Sequence, residues 1–184
     1  MSDFTALEEQ IRECFARVVY THKAHEKMAE DCARKLRNYK WLQILISALT
    51  ASTAFLAIVR DSGYAKWCTA LLSVIGIWAT GYMKGFDPGG SAQKHRDAAA
   101  SLWAIRESYL SLLTDLRMKS VGEEEAAKMR EALQSRLAAI YKGAPQTNAK
   151  AYAAAQKALK ENEEYTFSDA EINKFVPESL RKKE

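Results

Sequence analysis

Two stretches of the chain lack charge altogether. WLQILISALTASTAFLAIV, residues 41–59, and WCTALLSVIGIWATGYM, residues 67–83, hold no Asp, Glu, Lys or Arg, and between them lies RDSGYAK, residues 60–66. A hydrocarbon layer of ~30 Å needs ~20 helical residues, with ~17 as the lower limit. Both stretches meet that length, and both open on a Trp, with Tyr82 near the far end of the second, as aromatic membrane belts require. The pattern predicts a two-helix transmembrane hairpin whose turn is 60–66. Two buried helices of a soluble bundle are the competing reading, but soluble helices of this length carry charge on an outer face.

The flanking patterns are different. Phe4, Leu7, Ile11, Cys14, Val18, Ala29, Cys32 and Leu36 recur three or four apart and predict one helix over 3–40, ~55 Å long at ~1.5 Å per residue. After the second span, Pro88 and the glycines of GFDPGG, residues 85–90, predict a helix stop at the membrane surface. SAQKHRDAAASLWAIRESYLSLLTDL, residues 91–116, repeats Ala98, Leu102, Ile105, Tyr109, Leu112 and Leu116 in heptad steps and predicts an antiparallel partner for the first helix. Shorter helices are predicted over about 123–142, opened by three glutamates, and over 148–161. SDAE at 168–171 is a capping-box signature for a last helix that ends at Pro177. No strand pattern or internal repeat is present. The fold class is an all-α membrane protein with a cytoplasmic helical bundle. Its parts are an N-terminal cytoplasmic helix (1–40), the transmembrane hairpin (41–83) and a cytoplasmic helical region (84–184).

Composition averages hide this division. The chain of 184 residues is 48% hydrophobic and 27% charged, with a net charge of +4. That charge is too small to mark the whole chain as a nucleic-acid binder, so its distribution matters more. Lys23, Lys27, Arg34, Lys35, Arg37 and Lys40 precede the first span and Lys84, Lys94 and Arg96 follow the second, against Arg60 and Lys66 in the turn. The positive-inside rule then places both termini in the cytoplasm and 60–66 outside. Cys14, Cys32 and Cys68 form no CxxC and are odd in number, which points to a reducing compartment. MSDFTALEEQ is acidic and polar, so no leader peptide is expected.

Each span carries a polar or small stripe: Gln43, Ser47, Thr50, Ala54 and Ala57 on the first, Thr69, Ser73, Gly76 and Thr80 on the second. Small and hydroxyl residues let membrane helices approach closely, and the same residues can line a weakly charge-selective pore. Two stripes fit one packing seam and one pore lining, with Gln43 at a pore mouth. A pore needs at least ~4 helices around water, so one span per chain requires an oligomer, with a tetramer as the best expectation. The membrane-proximal cluster Arg34, Lys35, Arg37 and Lys40, approached by Lys84, Lys94, His95 and Arg96, has two readings. One is attraction to anionic membrane lipid; the other is a surface for a phosphate-rich ligand. Lys94, Arg96, Arg106 and Lys119 stand deepest in the cytoplasm and suit a ligand better than lipid. His22 and His25, with Glu26 alongside, could ligate a metal, but a solvated or helix-seam role is expected. Asp87, Asp97 and Asp115 are isolated, and no Ser-His-Asp, Cys-His or HExxH arrangement can be built, so no enzyme, metal or cofactor is expected.

HRDAAASLWAIRESYLSLLTDL at 95–116 and FSDAEINKFVPESLR at 167–181, in this order after two spans and a short turn, resemble the SLATT family of two-transmembrane effector domains associated with bacterial nucleotidyltransferases. The resemblance runs from about residue 10 to 181 and contains no catalytic motif. It implies an anti-phage effector that forms pores in the bacterial inner membrane. It also implies control by a nucleotide second messenger or short oligonucleotide made by a nucleotidyltransferase partner. Two other classes remain: a non-conducting membrane anchor that scaffolds a cytoplasmic partner, and a soluble helical interaction protein.

Overall fold

The structure is a computed structural model that describes residues 3–182, with side chains from Thr5 onward, so Phe4 of the predicted stripe lies outside the described side chains. It is all-helical among the described residues: α1 (Asp3–Val59), α2 (Gly63–Phe86), α3 (Pro88–Arg117), α4 (Glu123–Gly143), α5 (Ala149–Lys160), α6 (Asp169–Phe175) and a 3-10 turn at Glu178–Leu180.

The predicted helix over 3–40 and the first predicted span are one helix. With 57 residues, α1 is about 85 Å long at ~1.5 Å per residue, and it is long and apolar enough to cross a membrane. It contains no Gly or Pro to interrupt it. The return path is also nearly continuous. Thr69 meets Thr53, Gly76 meets Ile46, Gln43 meets Thr80, Gly89 meets Leu36 and His95 meets His25. Residue numbers in each pair rise on one strand of the list as they fall on the other, so α2 and α3 run antiparallel along the whole of α1 with little change of register.

Two breaks are tighter than the sequence suggested. The turn is confined to Arg60, Asp61 and Ser62, because Gly63–Lys66 already belong to α2. Asp61 takes a left-handed φ of 46°, the Ser62 side chain accepts from the Ala65 amide at 3.4 Å, and Lys66 closes an ion pair to Asp61 at 2.5 Å. At the second break Pro88 and the glycines do not stop the chain. Asp87 alone does so, with a left-handed φ of 32°. Its backbone N–H caps α2 at the Met83 carbonyl, and its carboxylate caps α3 by accepting from the Gly90 amide at 3.0 Å. Pro88 sits at the start of α3, where its missing N–H leaves nothing unpaired. A Cβ at Gly90 would lie 2.1 Å from Asp87 Oδ2, so a side chain there would displace the capping carboxylate.

The core lies in the lower half. Leu7, Ile11 and Val18 of α1 pack against Leu102, Ile105, Tyr109, Leu112 and Leu116 of α3, with Ala126 and Leu133 of α4 closing the cluster. The heptad positions predicted on α3 are all buried. α4 runs parallel to the start of α1, as Gln10–Arg130 and Thr21–Tyr141 show. α5 covers the next part of α1 through Ala151, Ala155 and Ala158. The predicted capping box of α6 is formed by Ser168 and Glu171.

Candidate functional site

Every residue from Trp41 to Phe86 is exposed or only partly covered. The outer surface of this region is formed by large apolar side chains, among them Ile58 at 82% exposure and Trp67 at 78%. Most of its polar side chains border the α1–α2 seam, while Ser52 is exposed away from it. A groove of about 700 Å³ runs along the seam; apolar groups such as Ile46, Ala54, Leu72 and Ile77 form most of its wall, and Gln43, Ser47, Thr50, Ser73, Gly76 and Thr80 lie along it. The two stripes were expected to serve one packing seam and one pore lining. Instead both converge on this one groove, because antiparallel register brings Gly76 opposite Ile46, and a Cβ at 76 would touch Ile46 Cγ2 at 3.5 Å. Gln43 Nε2 donates to Thr80 Oγ1 at 3.2 Å. Thr69 lies nearer the turn, where its hydroxyl donates to Thr53 Oγ1 at 2.9 Å. Thr53 escaped the sequence reading although it stands one turn from Thr50. Thr50, Thr69, Ser73 and Thr80 also bond the carbonyl four residues back, which satisfies hydroxyls in an apolar setting. The groove is uncharged throughout.

The second site is ionic and lies within the bundle. Lys23 is only 5% exposed on α1, yet it is paired with Glu26 at 2.9 Å and with Glu164 from the loop after α5. Burial alone would lower its pKa, but the bonds from Glu164 and Glu26 override burial and raise it. Glu26 is held low despite burial by bonds from Tyr165 and Lys23, and Glu164 is held low by the bond from Lys23. The Tyr165 ring stacks on His22 with centroids 5.6 Å apart, and the Lys23 ammonium and Arg106 guanidinium sit 4.3 and 4.8 Å from its centre. Burial and the bond to Glu26 push the Tyr165 hydroxyl up to about 12. Glu163 and Tyr165 hold left-handed φ values of 52° and 77°, so this loop is anchored to α1 in a conformation that side chains disfavour. Beside it, His22, Glu26, Arg96, Trp103, Arg106 and Tyr165 line a depression of about 510 Å³ that also touches Ala99 and Ala100.

The predicted basic residues differ in their surroundings. Arg34 and Lys35 both bond Asp31, at 2.8 and 3.0 Å, and hold its carboxyl down to about 2. Arg37 and Lys40 are exposed beside the start of the apolar segment, and Lys94 and Arg96 are exposed on α3. Arg106 bonds Glu107 at 2.7 Å and faces Tyr165. Lys119 stands in the turn after α3, roughly 30 Å beyond Arg96 at ~1.5 Å per residue. Arg96 and Arg106 are therefore the two that share a depression. His95, read as part of the basic surface, is buried at 3% exposure instead, because position 95 falls on the heptad face that packs on α1. His22 and His25 are buried in the same seam, and no cluster able to hold a metal occurs among the described residues.

No curated protein and no solved structure is similar enough to the chain to be matched. Residues 7–171 match the family described as SMODS and SLOG-associating 2TM effector domain family 4. That span takes in the lower core, the apolar groove, the Asp87 break and the Lys23 cluster. The chain therefore belongs to this SLATT family, the two-transmembrane effector domains of anti-phage defence that associate with SMODS and SLOG partners.

Proposed function

We propose that the chain is a pore-forming effector of the bacterial inner membrane, built as a homo-oligomer and gated from the cytoplasm. α2 and the end of α1 are its two crossings, both termini are cytoplasmic, and Arg60–Ser62 is the outer turn. The observation that supports this reading is the pattern of residues 41–86: large apolar side chains face outward, and one open, uncharged and mostly apolar groove carries the hydroxyls of Ser47, Thr50, Ser73 and Thr80 and the Gln43 amide. A hairpin of two touching helices encloses no lumen, so copies must combine to place such grooves around water. A tetramer is the smallest ring of at least ~4 helices with one crossing per chain at its centre.

The gating ligand is a nucleotide or short oligonucleotide made by a nucleotidyltransferase partner. The depression beside Glu26 offers the Arg96 and Arg106 guanidinium groups for phosphate and the exposed Trp103 face for a base, while the Tyr165 ring is already covered by His22, Lys23 and Arg106. Arg37, Lys40 and Lys84 flank the apolar segment, where anionic lipid heads would meet them. A ligand that binds one packing of α1 on α3 better than another shifts the pore between closed and open populations.

The test is ion flux through liposomes containing the purified chain, with and without oligonucleotide. Flux that changes with the ligand and is lost in Gly76→Leu, which fills the groove, is the expected result. Absence of flux in both conditions overturns the reading. The non-conducting anchor is favoured by one observation, the bonding of Gln43 to Thr80 and of Thr53 to Thr69, which uses groove polar groups for packing. An anchor would be monomeric or dimeric in detergent, whereas a pore would have the mass of a ring.

A further inference from the structure

The chain has three histidines, and all three lie buried in the seam between α1 and α3. His25 and His95 face each other across it. Their Nδ1 atoms are 2.9 Å apart and their ring centroids 5.1 Å apart, tilted by 45°. Such a contact holds a single hydrogen: one ring donates from Nδ1 and the other accepts at Nδ1. It also tolerates a ring pair with one extra proton. It cannot survive with both rings charged, because two N–H donors and two positive charges would then meet head-on in a buried place.

Among the described residues, no carboxylate is bonded to either ring of the pair. On α1, His22 lies one turn away and adds to the repulsion, and the neighbouring Lys23 is itself cationic. Glu26 is taken by Lys23 and Tyr165, and it reaches His22 Nε2 only at 3.5 Å. On α3, Lys94 and Arg96 are exposed cations, Arg106 is bonded to Glu107, and Asp97 accepts from Gln93. In the loop that packs on α1, Glu164 is paired with Lys23 and Lys27. On α5, which covers α1 from the other side, Lys150 reaches Asp31 at 3.9 Å, and Lys157 is a further exposed cation.

We propose that the His25–His95 pair makes the α1–α3 seam a proton-operated joint, closed while the two rings share one hydrogen and opened when each carries its own charge. The joint lies 16 residues before Trp41, about 24 Å along α1 at ~1.5 Å per residue, so its opening frees α3 from α1 below the apolar segment. Burial, and then the facing charges of His95 and His22, hold His25 down to about 4, against 6.5 for a free ring, and burial also lowers His95. A group whose pKa is lower in the closed form binds protons better in the open form. The joint is therefore fully stable above about pH 6.5 and weakens as pH falls from there toward about 4. The joint needs no pore, so it stands apart from the reading of the groove.

The experiment uses the full chain in detergent micelles. Imidazole NMR follows each ring from pH 8 to 4, and amide hydrogen exchange follows residues 22–32 and 92–102, corrected for intrinsic rates. At least one ring of the pair should stay neutral below pH 5.5, while protection of the seam falls by up to tenfold per pH unit per ring below about 6.5. The double variant His25→Gln, His95→Gln should lose most of that slope, and His22→Gln only the share due to His22. Both rings of the pair titrating near 6.5 in the folded chain overturn the proposal, as does a folded double variant with the full slope. The ring titration of the unaltered chain decides the matter even where the double variant does not fold.

Discussion

Along one uninterrupted helix, residues 7–32 bury Leu7, Ile11, Val18, Ala29 and Cys32 and turn Glu13 and Arg17 outward. Residues 41–59 turn Trp41, Ile44, Phe55 and Ile58 outward and keep Gln43, Thr50 and Thr53 against α2. The same secondary structure therefore carries two opposite surface patterns. In the lower region the hydrophobic effect drives packing, and polar groups take the outside because water is there. In the upper region large apolar groups face outward, and most hydroxyls bond a carbonyl or side chain of the hairpin itself. The register of α2 and α3 on α1 is common to both, so the difference lies in side chains and not in backbone geometry.

The largest contrast is expected from truncations of equal size in the two regions. Ile105 is 1% exposed in the lower core, and Ile77 is 75% exposed on α2. Ile105→Ala should lower stability by about 2–5 kcal/mol. Ile77→Ala should change it by less than about 1 kcal/mol, because no packed cavity is left behind. Denaturant unfolding in detergent reads both. Equal losses would break the comparison. Lys23→Met belongs beside Ile105→Ala: it strands Glu26 and Glu164, whose side chains are each 34% exposed. A fully buried pair would lose about 3–5 kcal/mol on such a change, and solvent screening of these carboxylates brings the expected loss to about 1–3 kcal/mol. Protease cutting within 161–167 should rise together with it.

A charge scan of α2 sharpens the same comparison within two adjacent residues. Val74 faces outward at 61% exposure, and Ser73 lines the groove. A lysine at the centre of a membrane-crossing helix costs about 2.5–3.5 kcal/mol. Val74→Lys should therefore deplete the chain from carbonate-washed membranes, whereas Ser73→Lys should be retained. Equal retention of both variants would place water, not lipid, around the upper region.

Much of this division was legible in the sequence, because it rests on patterns with a fixed period. The heptad from Ala98 to Leu116 and the uncharged stretches at 41–59 and 67–83 translate directly into burial and exposure. The SDAE cap was legible for the same reason. What was not legible depended on pairings distant in sequence. Glu164 and Tyr165 lie in KENEEYTF, which has no period, and nothing there announces that Glu164 pairs with the buried Lys23 or that Tyr165 bonds Glu26, 139 residues away. The convergence of both polar stripes on one groove depended on register, which neither stripe carries alone. The Asp87 break was misplaced because glycine and proline dominate GFDPGG, although Pro88 and the glycines are compatible with the first turn of a helix.

That break supplies the subtlest test, since Asp87 separates the upper region from the lower on the return path. Its two roles can be dissected by substitution. Asp87→Asn keeps an acceptor for the Gly90 amide and tolerates a left-handed φ, so it should be nearly silent. Asp87→Gly relieves the backbone but removes the side-chain cap, for a loss of a few tenths of a kcal/mol. Asp87→Ala loses the cap and keeps the unfavourable φ of 32°, so about 1–2 kcal/mol is expected. Gly90→Ala should resemble Asp87→Ala, because the added methyl displaces the capping carboxylate. Hydrogen exchange on either side of residue 87 is the informative measurement. If the two regions are held separately by their own packing, Asp87→Ala should loosen only the last turn of α2 and the first of α3. If loosening spread into Leu102 and Ile105, the lower core would depend on the break, and the two regions would be a single cooperative unit.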